Sequence, residues 1–228
     1  MSRRLLGQAI FLRHGQTEYT EVFPDITEEG IKTIKKSTEL LRPFIEHYQN
    51  VIIIASPMAR AQGSAAVITK VLDYKNKIRL EPNIQGAKAK DRQKAKALFY
   101  EHVSNGGIRA LSVAYGTDLR YEDGKIIEPR SEVRKRFFEY FAKLVRQLYV
   151  SPNLPLCLIH ISHYEVMYHL VESLFNLDYK KDEPLLHGEI VAISIYDIEI
   201  ENVVEIEVTF RGKTIKKKFF DYIDKEIR

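Results

Sequence analysis

Four side chains in this sequence have the type and placement to act on an anion: Arg13, His14, Arg60 and His163. Each follows an apolar run in strand language. Ile10-Phe11-Leu12 runs straight into Arg13-His14-Gly15, Val51-Ile52-Ile53-Ile54-Ala55 into Ser56-Pro57-Met58-Ala59-Arg60, and Leu156 to Ile161 into Ser162-His163-Tyr164-Glu165. In an open α/β sheet the ligand lies beyond the carboxyl ends of the strands, and parallel strands all end on one edge. The three junctions therefore converge. Two guanidiniums and two imidazoles at one point suit a small dianion, with the arginines matched to bidentate contact. Taken singly, Arg13-His14-Gly15 reads first as an ordinary polar loop, and Arg60 equally well as a solvated cation; the coincidence of three junctions carries the reading. Arg60 also falls in the first turn of its helix, where the dipole repels a cation unless an anion is bound there too. No acidic or cysteine cluster has metal-ligand spacing, and this cationic set would repel a metal, so neither metal nor other cofactor is expected. The glycine-rich phosphate loop of nucleotide-binding folds is absent.

The elements that must position these groups alternate between strand and helix. Gln8 to Leu12 suits a strand covered on both faces. After Pro24, Thr27 reads as an N-cap and Glu28 and Glu29 match the helix dipole. Ile31, Ile34, Thr38, Leu41 and Ile45 then recur at helical spacing to about Tyr48. Ser56 as N-cap, with Pro57 at the first helical position, opens a second helix running to about Leu72. Lys77 to Leu80 is a short strand, Glu81 to Gly86 a loop, and Ala87 to Val103 a helix broken by Asn105-Gly106-Gly107. Residues 82–129 read as an insertion over the active edge, either a lid or a decoration. Ser131 opens a helix with Val133, Phe137, Tyr140, Phe141, Leu144 and Leu148 on its core face, and Pro152 and Pro155 separate it from the third strand. A helix from Tyr164 to Phe175, a strand from Ile190 to Tyr196 and a hairpin over 203–220 about Arg211-Gly212 complete the chain. Lys216, Lys217 and Lys218 read as a solvated edge that discourages pairing. The expected fold is a single α/β domain over 1–228, a three-layer sandwich with a mostly parallel central sheet and helices on both faces.

The chain has 228 residues, 45% of them hydrophobic, enough for one sizeable core. Its 35 Lys and Arg against 31 Asp and Glu leave a net charge of +4, a mild attraction for anions that does not call for nucleic acid. The single cysteine, Cys157, sits in an apolar run and reads as a core residue in a reducing compartment. Met1 to Ala9 has no apolar stretch of signal-peptide length, and nothing approaches the ~20 apolar residues of a membrane span. A cytoplasmic location without a membrane partner is expected, and the C-terminal hairpin offers a surface for a homodimer.

Taken in order, Arg13-His14-Gly15, Thr27-Glu28-Glu29-Gly30, Ser56-Pro57-Met58-Ala59-Arg60-Ala61, Ser131-Glu132-Val133-Arg134-Lys135-Arg136 and Ser162-His163 resemble the histidine phosphatase superfamily, the phosphoglycerate-mutase-like proteins, over residues 9–196. The resemblance implies that His14 is a nucleophile forming a phosphohistidine, held neutral by a hydrogen bond from its other ring nitrogen to a backbone carbonyl. It implies that Arg13, Arg60 and His163 hold the transferring phosphoryl group, with Gly15 allowing close backbone approach and Gln16 and Thr17 binding phosphate or substrate. Glu81 is its first choice for the acid that protonates the leaving oxygen, and Glu165, two places after His163, is the rival. Thr20 departs from the asparagine that the mutases often carry.

Of the remaining histidines, His187 could approach the substrate from a loop, His160 reads as structural, and His47, His102 and His169 as helix-surface or core residues. Tyr115, Arg109, Arg120 and Tyr121 are candidates for a specificity pocket, with solvent exposure the plainer fate. The implied activity is a metal-independent phosphomonoesterase acting on a small phosphorylated substrate or a phosphoprotein. A phosphoglycerate mutase and an inactive phospho-ligand binder are the alternatives.

Overall fold

The computed structural model describes residues 3–18, 25–150, 155–178, 180–199, 201 and 203–227, so Thr20, Pro24 and Pro152 lie outside it. Seven strands form one sheet: β1 (Arg3–Arg13), β2 (Asn50–Ala55), β3 (Arg79–Leu80), β4 (Leu156–Ser162), β5 (Ile190–Ile198), β6 (Val203–Phe210) and β7 (Lys213–Lys218). Their spatial order is β3-β2-β4-β1-β5-β6-β7. The four on the β3 side run parallel, and β5, β6 and β7 add on antiparallel. The mixed α/β sheet thus has the expected parallel centre with an antiparallel C-terminal half.

Alternation along β1 explains the layers. Ile10 and Leu12 point to one face, where α1 (Glu28–Ile45) and α2 (Ala59–Val71) bury Ile34, Leu41, Ala65 and Ile68 against them. Ala9 and Phe11 point to the other, where α5 (Arg130–Val150), α6 (Tyr164–Phe175) and α7 (Phe219–Ile227) pack. Phe11 meets Phe137 and Phe141 edge-on at 5.5 and 6.0 Å. Each of these buried rings contributes about 2–3 kcal/mol of apolar burial, so β1 is gripped from both sides.

Between β3 and α5 lie two helices, α3 (Arg92–Ser104) and α4 (Gly107–Thr117), with short 3-10 turns at Pro82–Ile84 and Leu119–Tyr121. Several sequence expectations shift here. The helix expected from Ala87 starts at Arg92, because Asp91 caps it through Lys94 N (3.0 Å) while Ala89 bridges to Ile127. The α4 helix, which periodicity missed, restarts directly after the break because Gly107 adopts φ +66°. Likewise α2 begins at Ala59 with Met58 at its cap, so neither Ser56 nor Pro57 holds the expected position. The hairpin ends at Lys218, not at 220: Phe219, Tyr222 and Ile223 share one buried face and turn the C-terminus into α7 against Phe138 and Phe141 of α5. The lysines of β7 are exposed on the sheet edge as expected.

Thr27 caps α1 as expected, accepting from Gly30 N at 3.1 Å. Gly30 is needed for a second reason, since a Cβ there would stand 2.5 Å from Gln16 O and 2.8 Å from Gln16 N. Both are backbone atoms that cannot swing away. The substitution Gly30→Ala should therefore cost about 1–3 kcal/mol by overpacking, read as a lowered urea midpoint; an unchanged midpoint would show that the β1–α1 turn is not held by this contact.

Candidate active site

The tips of the parallel strands are knitted together by backbone hydrogen bonds. His14 N donates to Ser162 O (3.0 Å), Ser56 N to Ile161 O (3.0 Å), Glu81 N to Ala55 O (2.9 Å) and Arg13 N to Glu189 O (3.1 Å). This row sets Arg13, His14, Ser56 and His163 along one edge. Arg13, His14 and His163 are nearly inaccessible, at 4%, 2% and 0% exposure, and Arg60 is half-buried.

At the centre, Arg60 Nε donates to two imidazoles at once, to His14 Nε2 at 3.1 Å and His163 Nδ1 at 3.2 Å. The opposite nitrogen of each ring is also engaged. His14 Nδ1 donates to Gly15 O at 2.7 Å, and His163 Nε2 donates to Ser56 Oγ at 2.8 Å. Each ring is thus read as one neutral tautomer, with the lone pairs of His14 Nε2 and His163 Nδ1 facing Arg60. Burial first, then His163, Arg60 and Arg13, holds His14 well below the ordinary imidazole value. Burial first, then Arg60, Arg13 and Arg136, does the same for His163.

Arg13 donates to Leu185 O and meets His187 Nε2 at 3.2 Å, while Tyr164 lies under its guanidinium. His187 is therefore brought to the site, its ring centre 5.5 Å from that of His14, and burial with Arg13 and Arg60 lowers it to about 3. Thr17 Oγ is buried without a hydrogen-bond partner among the described residues. Gln16 is exposed, and its carbonyl accepts from Thr27 N at 2.9 Å and from Thr27 Oγ1 at 3.2 Å. The close approach that Gly15 permits is to Gly30 O and Ile26, which a Cβ would strike at 2.8 and 2.5 Å.

The two candidate acids sit differently. Glu81 caps the turn that follows it: its Oε1 accepts from Asn83 N and from Asn83 Nδ2, both at 2.8 Å. Glu165 opens α6 beside Gly86, where a Cβ would lie 3.2 Å from Glu165 Oε2 and 3.4 Å from the His163 ring. The specificity candidates are otherwise occupied. Tyr115 and Tyr121 are buried, Tyr121 packing against Tyr115 and Tyr115 against Tyr164 and Tyr168. Arg120 pairs with Glu101 and Asp118, and Arg109 with Glu183. His160 is structural, its Nε2 bonded by Tyr140 Oη at 2.8 Å. His169 is buried, His47 exposed, and His102 stands 3.3 Å from Asp118.

Three supporting residues escaped the sequence reading. Ser56, taken there for a helix cap, holds His163. Arg136 donates to Asn83 O, Gln85 O and Gly86 O while paired with buried Glu128, which fixes the loop beside Glu165. Arg211, at the hairpin turn, binds Glu183 O, Pro184 O and Glu189, which fixes the loop carrying Leu185 O and His187. Glycine and proline around 82–86 and 184–188 mark these loops, but nothing local marks the arginines that hold them. Among the described residues no helix is long and apolar enough to cross a membrane, and no group of three or more His, Cys, Asp or Glu is placed to hold a metal ion.

A model of the histidine phosphatase superfamily (branch 1) matches residues 9–204. No curated protein sequence matches the chain. Among solved structures, a mycobacterial glucosyl-3-phosphoglycerate phosphatase complexed with VO3 aligns at TM-score 0.58 and 14% identity, covering 90% of this chain and 98% of that one. A phosphoglycerate mutase from Bacillus anthracis aligns at 0.57 and 14%, covering 97% of each. A phosphoserine phosphatase from Entamoeba histolytica aligns at 0.53 and 13%, covering 93% and 95%. At these identities the likeness is one of fold.

Buried imidazoles make the native state sensitive to acid. His14, His160, His163, His169 and His187 all lie below the ordinary value of 6.5, with His160 at about 4 and His169 and His187 at about 3. Below pH 6.5 the unfolded chain binds protons that the folded one refuses, so stability is full above that pH and falls towards the folded values. Each histidine contributes up to about 1.4 kcal/mol per pH unit in that window. Urea midpoints should drop steeply from pH 7 to pH 5; a flat profile would mean that these rings are protonated in the folded state.

Proposed function

The chain belongs to the histidine phosphatase superfamily, and we propose that within it this protein is a phosphomonoester hydrolase working through a phosphohistidine at His14. The observation that carries the reading is the pair of hydrogen bonds on the His14 ring. With Nδ1 committed to Gly15 O, the lone pair of Nε2 is the one available to attack phosphorus. Its lowered pKa keeps that lone pair free of a proton at neutral pH.

A phosphoryl group entering the site would meet Arg60 between the two imidazoles, Arg13 from the side and the spare hydroxyl of Thr17. Arg60 then exchanges imidazole nitrogens for phosphoryl oxygens, a stronger, charge-assisted bond. Arrival of the dianion reverses the local field, which favours a proton on His163 and a hydrogen bond from it to the same group. These groups neutralise charge on the equatorial oxygens as the bond to the leaving oxygen lengthens. A carboxylic acid then protonates that oxygen, and its carboxylate later activates the water that frees phosphate from His14. No metal is needed in this scheme, and residues 82–129 stand as a cap from which substrate choice would come.

Turnover of p-nitrophenyl phosphate in EDTA tests the reading. The native protein should release p-nitrophenol, and His14→Ala should lose at least about a thousand-fold in kcat/KM. Equal rates in the two proteins would overturn the nucleophile, and dependence on added metal would overturn the metal-free scheme. Isomerisation of 3-phosphoglycerate would assign the mutase alternative, and binding of phosphate esters without turnover the inactive one.

A further inference from the structure

We propose that Glu165, rather than Glu81, is the acid that protonates the leaving oxygen. This rests on the phosphohistidine reading of His14. Glu165 is the second residue of α6 and only two places from His163, so its carboxylate is carried on the same strand-to-helix junction as the imidazole. Gly86 makes the meeting possible. A Cβ at that position would lie 3.2 and 3.5 Å from the two carboxylate oxygens and 3.4 Å from the His163 ring, so the carboxylate and the imidazole both line the surface that the glycine leaves open. The loop is not free to back away, since Ser162 Oγ donates to Ile84 O at 2.8 Å and Arg136 holds Gln85 O and Gly86 O at 2.8 and 3.2 Å. Glu165 is half-buried and makes no hydrogen bond among the described residues, whereas Glu81 spends its Oε1 on two bonds from Asn83. A group that must hold a proton, release it and take it back is better left uncommitted than used as a cap.

The chemistry closes on itself. As the N–P bond to His14 Nε2 forms and the ester P–O bond breaks, the carboxylic acid of Glu165 passes its proton to the departing oxygen, giving the alcohol and a carboxylate. That carboxylate then takes a proton from water as the water oxygen bonds to phosphorus and the N–P bond breaks. Inorganic phosphate leaves and Glu165 is again protonated.

Two aryl esters of similar shape separate this from a structural role. Loss of the acid should matter greatly for phenyl phosphate, whose leaving group is weakly acidic, and little for p-nitrophenyl phosphate, whose leaving group departs as the anion. In kcat/KM, which reports transfer to His14 and not the later hydrolysis common to both esters, the expected result for Glu165→Gln is a loss of about a hundred-fold or more on the phenyl ester and under about ten-fold on the nitrophenyl ester. Glu81→Gln should follow the native protein on both esters. Equal losses on the two esters for Glu165→Gln, no loss at all, or a leaving-group-dependent loss in Glu81→Gln would overturn the assignment. Should Glu165→Gln fail to fold, Glu165→Asp makes the same comparison with the carboxylate drawn back by one methylene. Absence of turnover in the native protein would instead defeat the underlying phosphatase reading.

Discussion

One guanidinium nitrogen shared between two imidazoles is the constraint on which the site depends. Arg60 Nε satisfies His14 and His163 together, and each ring is pinned at its far nitrogen by Gly15 O or Ser56 Oγ. The arrangement places a fixed positive charge against two neutral rings that burial prevents from charging. A guanidinium N–H makes a weaker bond to a neutral ring nitrogen than to an anion, so a phosphoryl oxygen would improve on either imidazole. The geometry is in this sense suited to an anion.

Holding that geometry falls to side chains far from it in sequence. The sheet supplies a row of strand tips, but the two loops that wall the row come from elsewhere, and each is fastened by an arginine that binds backbone carbonyls. Arg136, reaching from α5, holds the 83–86 loop, and its charge is balanced by buried Glu128. Arg211 does the same for the 183–189 loop from the hairpin turn, balanced by Glu189. The antiparallel half of the sheet therefore serves the site, because its turn delivers the second clamp. Close glycine contacts complete the frame, with Gly15 and Gly30 letting β1 and α1 meet backbone to backbone.

Much of this was legible from residue order. The β-branched run before Ser56, the apolar runs before Arg13 and Ser162, and their common edge follow from how parallel sheets bury both faces, and they were enough to bring Arg13, His14, Arg60 and His163 together. Caps with a local signature were also readable, as at Thr27. What escaped depends on tertiary partners. Ser56 looked like a helix cap because its hydroxyl precedes a proline, but His163 claims that hydroxyl from over a hundred residues away. The α4 helix hid behind a glycine pair, since periodicity does not tell a break from a restart. The helical end of the chain hid behind the lysine-rich strand before it. Glu81 illustrates the same limit: the family resemblance pointed to it as the acid, and nothing in the resemblance showed that the asparagine two residues on bonds its carboxylate as a cap.

The central claim is that the attacking atom is Nε2 of His14. Rapid quenching of the protein during turnover of a phosphate ester, followed by alkaline 31P spectroscopy and fragment mass spectrometry, reads this directly. The account predicts one phosphoryl group, on His14 and on the nitrogen remote from the backbone. A phosphoryl group on Nδ1 or on another residue would contradict it, as would turnover at full rate with no phosphorylated protein formed.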